Sequence, residues 1–173
     1  ITATKGGSLW PGSSATAGAL ANTLFLGYGY TNMTLSTPAG AGYAYLWTQT
    51  GPVITGLNCT SCTSPVFTPT AAGSYIFSVT KTNNATGCSS TCTIQICVLD
   101  VRVPASSPAQ VYTCKAGITT QMLTTSVATY LAANPAARLG ACSAVCGSAK
   151  ADGDDSRIIG NNEEFSVRVQ PNP

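Results

Sequence analysis

Beyond Thr23 the chain alternates apolar and polar positions in short runs, the period of strands with one buried face. A first strand is predicted at Thr23 to Leu26, ahead of Gly27-Tyr28-Gly29-Tyr30. Met33 and Leu35 then alternate with Asn32, Thr34 and Ser36, and Tyr43, Tyr45 and Trp47 with Ala44, Leu46 and Thr48. Tyr75, Phe77 and Val79 share one face of the run 74–80. Pro38 to Gly42, Ala71-Ala72-Gly73 and Asn83-Asn84 with Gly87 supply the turns between. The longest β-prone run is 87–104. Its Ile94, Ile96 and Val98 fall on one face, and Cys97, Leu99, Val101 and Val103 on the other. With both faces apolar, this strand is expected to be covered on both sides. The total is about seven short strands, the pattern of an antiparallel β-sandwich with Greek-key connections.

That sandwich is assigned to residues 1–104. Its opening segment, 1–21, is rich in Gly, Ser and Ala and shows only a turn at Trp10-Pro11-Gly12. A second unit, 105–148, follows a Ser/Pro linker. It holds the one predicted helix, Thr124 to Ala133, where Val127, Tyr130 and Leu131 share a face. The Thr and Ser residues at 124–126 are expected to cap its start, and Pro135 ends it. About forty residues cannot bury a deep core, so disulfides are expected to carry much of this unit. The remainder, 149–173, reads as a polar linker followed by a short strand.

Composition changes the picture in two ways. Charged residues make up only 8% of the 173, far below the roughly 25% of an average soluble protein. Such a surface suits packing against other chains or a matrix. The net charge of +2 comes from scattered Lys and Arg, with no basic run to follow a nucleic acid. No apolar run approaches the ~20 residues of a membrane-spanning helix. The eight cysteines, Cys59, Cys62, Cys88, Cys92, Cys97, Cys114, Cys142 and Cys146, are read as structural disulfides in an oxidising, extracellular compartment. A zinc site is the alternative, weakened by the lack of any histidine. Roughly a hundred pairings are open to eight cysteines. Proximity along the chain favours Cys59–Cys62, Cys88–Cys92 and Cys114–Cys142, which leaves Cys97–Cys146. The chain begins at Ile1 without a visible signal peptide, and is expected to be a mature or trimmed product.

Catalytic chemistry is sparse. Acid/base work needs positioned titratable groups, yet residues 1–149 hold no histidine and one carboxylate, Asp100. Neither a carboxylate pair nor a Ser-His or Cys-His arrangement is available there. Cys59-Thr60-Ser61-Cys62 has a redox reading, but that chemistry is expected at a helix N-terminus, and none is predicted nearby. Asp152-Gly153-Asp154-Asp155 has a calcium reading, but lacks the further ligands of a calcium loop. No catalytic residue, metal or cofactor is therefore expected. For aromatics there are two readings. Trp47 is expected in the sandwich core, whereas Trp10, Tyr28, Tyr30 and Tyr43 are candidates for an exposed row that stacks on sugars.

Several stretches carry a resemblance. Leu24 to Gly29, the run Leu57-Asn58-Cys59-Thr60-Ser61-Cys62-Thr63-Ser64-Pro65-Val66-Phe67-Thr68-Pro69-Thr70, Ala72 to Tyr75, Gly87-Cys88 with Cys92, and Ile96 to Pro104 resemble the PKD-type immunoglobulin-like repeats of secreted Bacteroidota proteins. Cys114, Val127 to Leu131 and Arg138-Leu139-Gly140-Ala141-Cys142 resemble the frame of a small Cys/His module that often follows such a repeat. At its histidine positions stand Lys115, Tyr130 and Asn134, so any metal the family form holds is not expected here. Glu164 to Pro173, ending Pro-Asn-Pro, resembles the opening of a type IX secretion C-terminal sorting domain. The resemblance implies a non-enzymatic secreted or cell-surface module for spacing, presentation or adhesion. Its expected partners are other surface proteins or copies of itself. Two alternatives stay open: a subunit of an extracellular fibre whose unpaired N-terminal strand inserts into a neighbour, and a polysaccharide-binding module.

Overall fold

The computed structural model describes residues 1–15, 20–54, 56–107 and 109–146. The acidic stretch at 152–155 and the sorting-domain resemblance at 164–173 lie outside these described residues.

Two sheets face each other. One has the order β1-β3-β5, from β1 (Thr2–Leu9), β3 (Tyr30–Ser36) and β5 (Val66–Phe67). The other has the order β2-β7-β6-β4, from β2 (Thr23–Leu26), β7 (Ser89–Asp100), β6 (Gly73–Asn83) and β4 (Tyr43–Thr50). The alternation in the sequence decides which side chains enter the gap. Met33, Leu35 and Phe67 meet Leu24, Leu26, Tyr45, Trp47, Tyr75, Phe77, Val79, Ile96 and Val98. Phe67 lies at the centre, its ring 4.8 Å from those of both Tyr75 and Phe77 at tilted angles, the edge-to-face geometry aromatic quadrupoles favour. Trp47 is 2% exposed and is the core anchor expected of it.

Three features depart from the sequence expectations. Segment 1–21 contains a paired strand: β1 runs antiparallel to β3 from Thr2↔Ser36 to Leu9↔Tyr30. The N-terminal strand is thus bound within its own chain, not left free to enter a neighbour. β2 pairs with β7 in parallel, from Thr23↔Cys97 to Leu26↔Asp100, inside an otherwise antiparallel sandwich. The turn before it puts Asn22 at φ 53, where its carbonyl accepts from the Cys97 N–H at 2.8 Å. Asn is among the few residues that tolerate this left-handed backbone. The third departure is β9 (Ile118–Leu123), a strand without an alternating signal that pairs with β8 (Gln110–Lys115) along its whole length.

The second unit is built from β8, β9, α1 (Thr124–Ala133) and β10 (Arg138–Leu139), with sheet order β10-β8-β9. α1 spans the predicted residues, but its first residues do not cap it. Leu123 is the N-cap, without a side-chain bond, and Thr124 is turned toward the Ala109 carbonyl. Val127 is fully buried against Val111 and Leu139, in a cluster that also holds Phe25, Tyr28, Leu99 and Val101 from the sandwich. β7 therefore contributes Ile96 and Val98 to the first core and Leu99 to the second, where Val101, just past its end, joins it. Covering on both sides, as expected, holds for its C-terminal half. In its N-terminal half the second face carries exposed Thr91, Thr93 and Gln95.

Two bridges fix this arrangement. Cys97–Cys146 ties the second unit to β7 across 49 residues, with Cα atoms 5.5 Å apart, and Cys114–Cys142 closes the unit itself at 4.9 Å. At the junction Asp100 accepts from Arg102 Nε at 2.8 Å and Nη2 at 2.6 Å. The Arg102 stem lies against Gly27, whose φ of 102 and lack of a Cβ make room for it.

Truncating Trp47 to Ala should cost about 3–5 kcal/mol in denaturant unfolding. Replacing Cys97 and Cys146 by Ala should cost about 2–4 kcal/mol, with undocking of the second unit visible as new amide exchange in β8. The hydrogen bonds from Arg102, first, and then its charge hold Asp100 below the ordinary carboxylate range. The stability from this pair is present above the usual Asp pKa and lost as pH falls through the lowered one. Because both partners are half-exposed, Asp100→Asn should remove less than ~1 kcal/mol at pH 7 and flatten the acid limb of the stability curve.

Candidate functional site

The residues with chemical potential fall into three groups. The first is the loop between β4 and β5. Trp47 holds this loop at two points: its backbone N–H donates to the Thr60 carbonyl at 2.7 Å, and its indole Nε1 to the Cys62 carbonyl at 2.8 Å. β3 holds it from the opposite sheet, through Leu35 N–H to the Pro65 carbonyl and Thr37 N–H to the Thr63 carbonyl. Cys59 and Cys62 sit in this turn as thiols, not as the expected bridge. The Cys62 N–H donates to Cys59 Sγ at 3.0 Å. Backbone hydrogen bonds to both sheets already pin the turn, the work a Cys59–Cys62 disulfide was expected to do.

The thiols are electrostatically unequal. The hydrogen bond from the Cys62 thiol is the main cause holding Cys59 below the ordinary thiol pKa, assisted by donors from Ser61 and Cys62. Burial, first, and the bond to Cys59, second, push Cys62 up. This asymmetry suits a nucleophile and its neighbour, although no helix N-terminus stands beside it.

The second group is the other free pair, Cys88 and Cys92. Their expected bridge is also absent, and strand geometry explains why. Cys92 pairs with Val79 inside the straight β6–β7 ladder, and Cys88 lies just before β7, where its carbonyl accepts from Asn83 N–H. Four residues of extended chain separate them by roughly 13 Å, far beyond the ~7 Å Cα limit for a disulfide.

The third group is the aromatic set, which the structure does not bring together. Tyr28 is fully buried at the junction of the two units, where burial raises its phenol pKa. Trp10 is half-buried in a turn, its backbone N–H donating to the Gly29 carbonyl. Tyr30 is half-buried at the same end of β3. Tyr43 stands at the far end of the sandwich, beyond the opposite end of β3 and so roughly 20 Å away, with Lys81 Nζ 4.2 Å over its ring. These four residues form no continuous row.

In the second unit, two of the three positions that the Cys/His resemblance aligns with histidines meet through their side chains. Lys115 Nζ donates to Asn134 Oδ1 at 2.7 Å, and Asn134 Nδ2 to the Tyr130 carbonyl at 2.8 Å. Lys115 Nζ is thus turned to Asn134, and Tyr130 enters this contact through its backbone carbonyl. Among the described residues no group of three or more His, Cys, Asp or Glu is placed to hold a metal ion, and no helix is long and apolar enough to cross a membrane.

No protein family, curated protein or solved structure was found that matches this chain.

Two features were missed in the sequence. Isolated strand patterns gave no sign that β2 covers only the last four positions of β7 (Cys97–Asp100), with the edge before them unpaired among the described residues. The free state of Cys88 and Cys92 follows from applying strand rise to two cysteines four residues apart in extended chain.

The inequality of the turn thiols gives a direct expectation. In iodoacetamide labelling across pH 6–10, followed by peptide mapping, Cys59 should react with a midpoint below that of an ordinary thiol and Cys62 above it. Serine at position 62 should move the Cys59 midpoint upward only in part, since a hydroxyl donor remains.

Proposed function

We propose that this chain is a non-enzymatic structural module of an exported protein, acting outside the cell or at its surface as a spacer or presentation unit. The observation that carries this reading is the sharing of β7. One strand serves two cores and bears a bridge to the second unit, which makes a stiff two-part body from a chain with little titratable chemistry. Asp100, the one carboxylate among the described residues, is held by Arg102. A carboxylate kept ionised and doubly hydrogen-bonded is a poor general base or acid at neutral pH.

Export is supported by two disulfides in a domain of this size and by the resemblance to secreted Bacteroidota repeats. A surface with 8% charged residues and broad Thr/Ser lining fits contact with other chains. The homopolymer reading keeps one specific support, the bare edge of β7, although the donor strand envisaged for it is already paired. For polysaccharide binding, Trp10, Tyr28, Tyr30 and Tyr43 are dispersed and do not supply the row that reading called for.

Immunogold electron microscopy of the native cells tests the reading. Label outside the envelope, on stalks or matrix, is the expected result. Label confined to the cytoplasm would overturn it.

A further inference from the structure

β7 is twelve residues long, and its two edges are treated very differently. β6 covers one edge from Ser89 to Val98 in unbroken register. On the other edge β2 reaches only Cys97 to Asp100. Among the described residues nothing pairs with that edge from Ser89 to Ile96. Its backbone groups can be assigned a direction. Cys97 N–H donates to the Asn22 carbonyl and Val101 N–H to the Leu26 carbonyl, so odd-numbered residues address the β2 side. By the two-residue period of a strand, Ser89, Thr91, Thr93 and Gln95 present N–H and C=O to the bare edge.

Proteins usually guard such an edge with charge, proline or a bulge. Here Ser89 to Gln95 reads Ser-Ser-Thr-Cys-Thr-Ile-Gln, with no charge and no proline, and the ladder shows no bulge. On the core-facing side Cys92 and Ile94 are only partly buried, so an added strand would cover apolar surface as well as backbone. The open window, bounded by the turn at Gly87 and by β2, has Cys92 at its midpoint.

That midpoint selects the occupant. Two copies pairing antiparallel about a two-fold axis, each using the full window, set Ser89 opposite Gln95 and Thr91 opposite Thr93. Cys92 then faces Cys92. Even-numbered residues are non-hydrogen-bonded on this side, where opposed Cα atoms lie about 4.5 Å apart, within the span of a disulfide. Both thiols project to the same face of the joined sheet, and neither has a partner within its own chain.

We propose that a second copy of this chain docks through the bare edge of β7, joining the two four-stranded sheets, with Cys92 on the two-fold axis where it forms an interchain disulfide. The bond joins the two Sγ atoms. Two electrons and two protons pass to a low-molecular-weight disulfide, which is cleaved to two thiols. This deepens the structural-module reading and rests on it, by naming the partner and the contact.

The test incubates the full 173-residue chain with oxidised glutathione, then uses non-reducing electrophoresis and mass spectrometry of the cross-linked peptides. The expected product has twice the monomer mass, is cleaved by reductant and maps to Cys92 joined to Cys92. It should vanish in Cys92→Ser and persist in Cys88→Ser. Thr93→Pro should lower its yield several-fold, because the N–H it deletes points outward and leaves the β6 ladder whole. The double variant T91K/T93K should do the same by opposing like charges, with both intrachain bridges mapped to verify folding. A chain that stays monomeric, Cys92 capped by glutathione, Cys92 joined to Cys88, or a dimer linked through Cys59, Cys62 or Cys88 would each overturn the pairing. With the intrachain bridges intact, those results would leave the spacer reading standing, since its own test is where the chain is found in the native cells.

Discussion

The whole arrangement depends on the two-sided burial of one strand. A strand with a single apolar face can complete a sandwich, but it presents a polar back to whatever follows. β7 changes character along its length. Its first half backs the core with Cys92 and Ile94 and shows Thr91, Thr93 and Gln95 to water. Its second half backs one core with Ile96 and Val98 and a second with Leu99, which Val101 extends just beyond the strand. The second unit is too small to bury a core of its own, and half of its apolar cluster belongs to the sandwich: Phe25, Tyr28, Leu99 and Val101. Placement by Cys97–Cys146 then holds in register what hydrophobic contact brings together.

The same economy explains where the cysteines go. Bridges form where the fold brings distant segments together and the core is thin, at Cys97–Cys146 and Cys114–Cys142. In the sandwich proper, aromatic packing around Phe67 and backbone ladders already supply cohesion, and its remaining cysteines are thiols. Their positions, one pair in a hydrogen-bonded turn and one pair along a strand, give them different chemistry despite similar spacing in the sequence.

Much of the architecture was legible because burial writes itself as alternation. Met33 and Leu35, Tyr75, Phe77 and Val79, and Ile96, Val98 and Leu99 of β7 carry large side chains at the strand period and are deeply buried. α1 was legible from Val127 and Leu131 with Pro135 after them. β1 was not. Of its own residues only Ala3 packs on the core, with Ile1 just before it, and Gly6-Gly7 lacks side chains, so its existence rests on pairing with β3 rather than on any signal of its own. The parallel direction of β2 was invisible too, since it depends on the path of the preceding segment rather than on Thr23 to Leu26. For the candidate site, nearness in sequence misled at Cys88 and Cys92, where extension separates neighbours, and at Cys59 and Cys62, where backbone bonds already close the turn. A shared aromatic composition said nothing about Tyr43 and Trp10 lying at opposite ends.

The bridge from Cys146 to β7 also sets how this body transmits load. Tension arriving from the C-terminal side does not have to run through the 49 residues of chain between the bridged cysteines. It enters β7 directly at Cys97, beside the point where β2 begins its parallel ladder. The second unit is thereby shielded from stretch, and its strands and helix lie off the line of force. What resists the pull is the shear strength of a strand zipped to β6 along ten residue pairs and clamped by β2 at the loaded end.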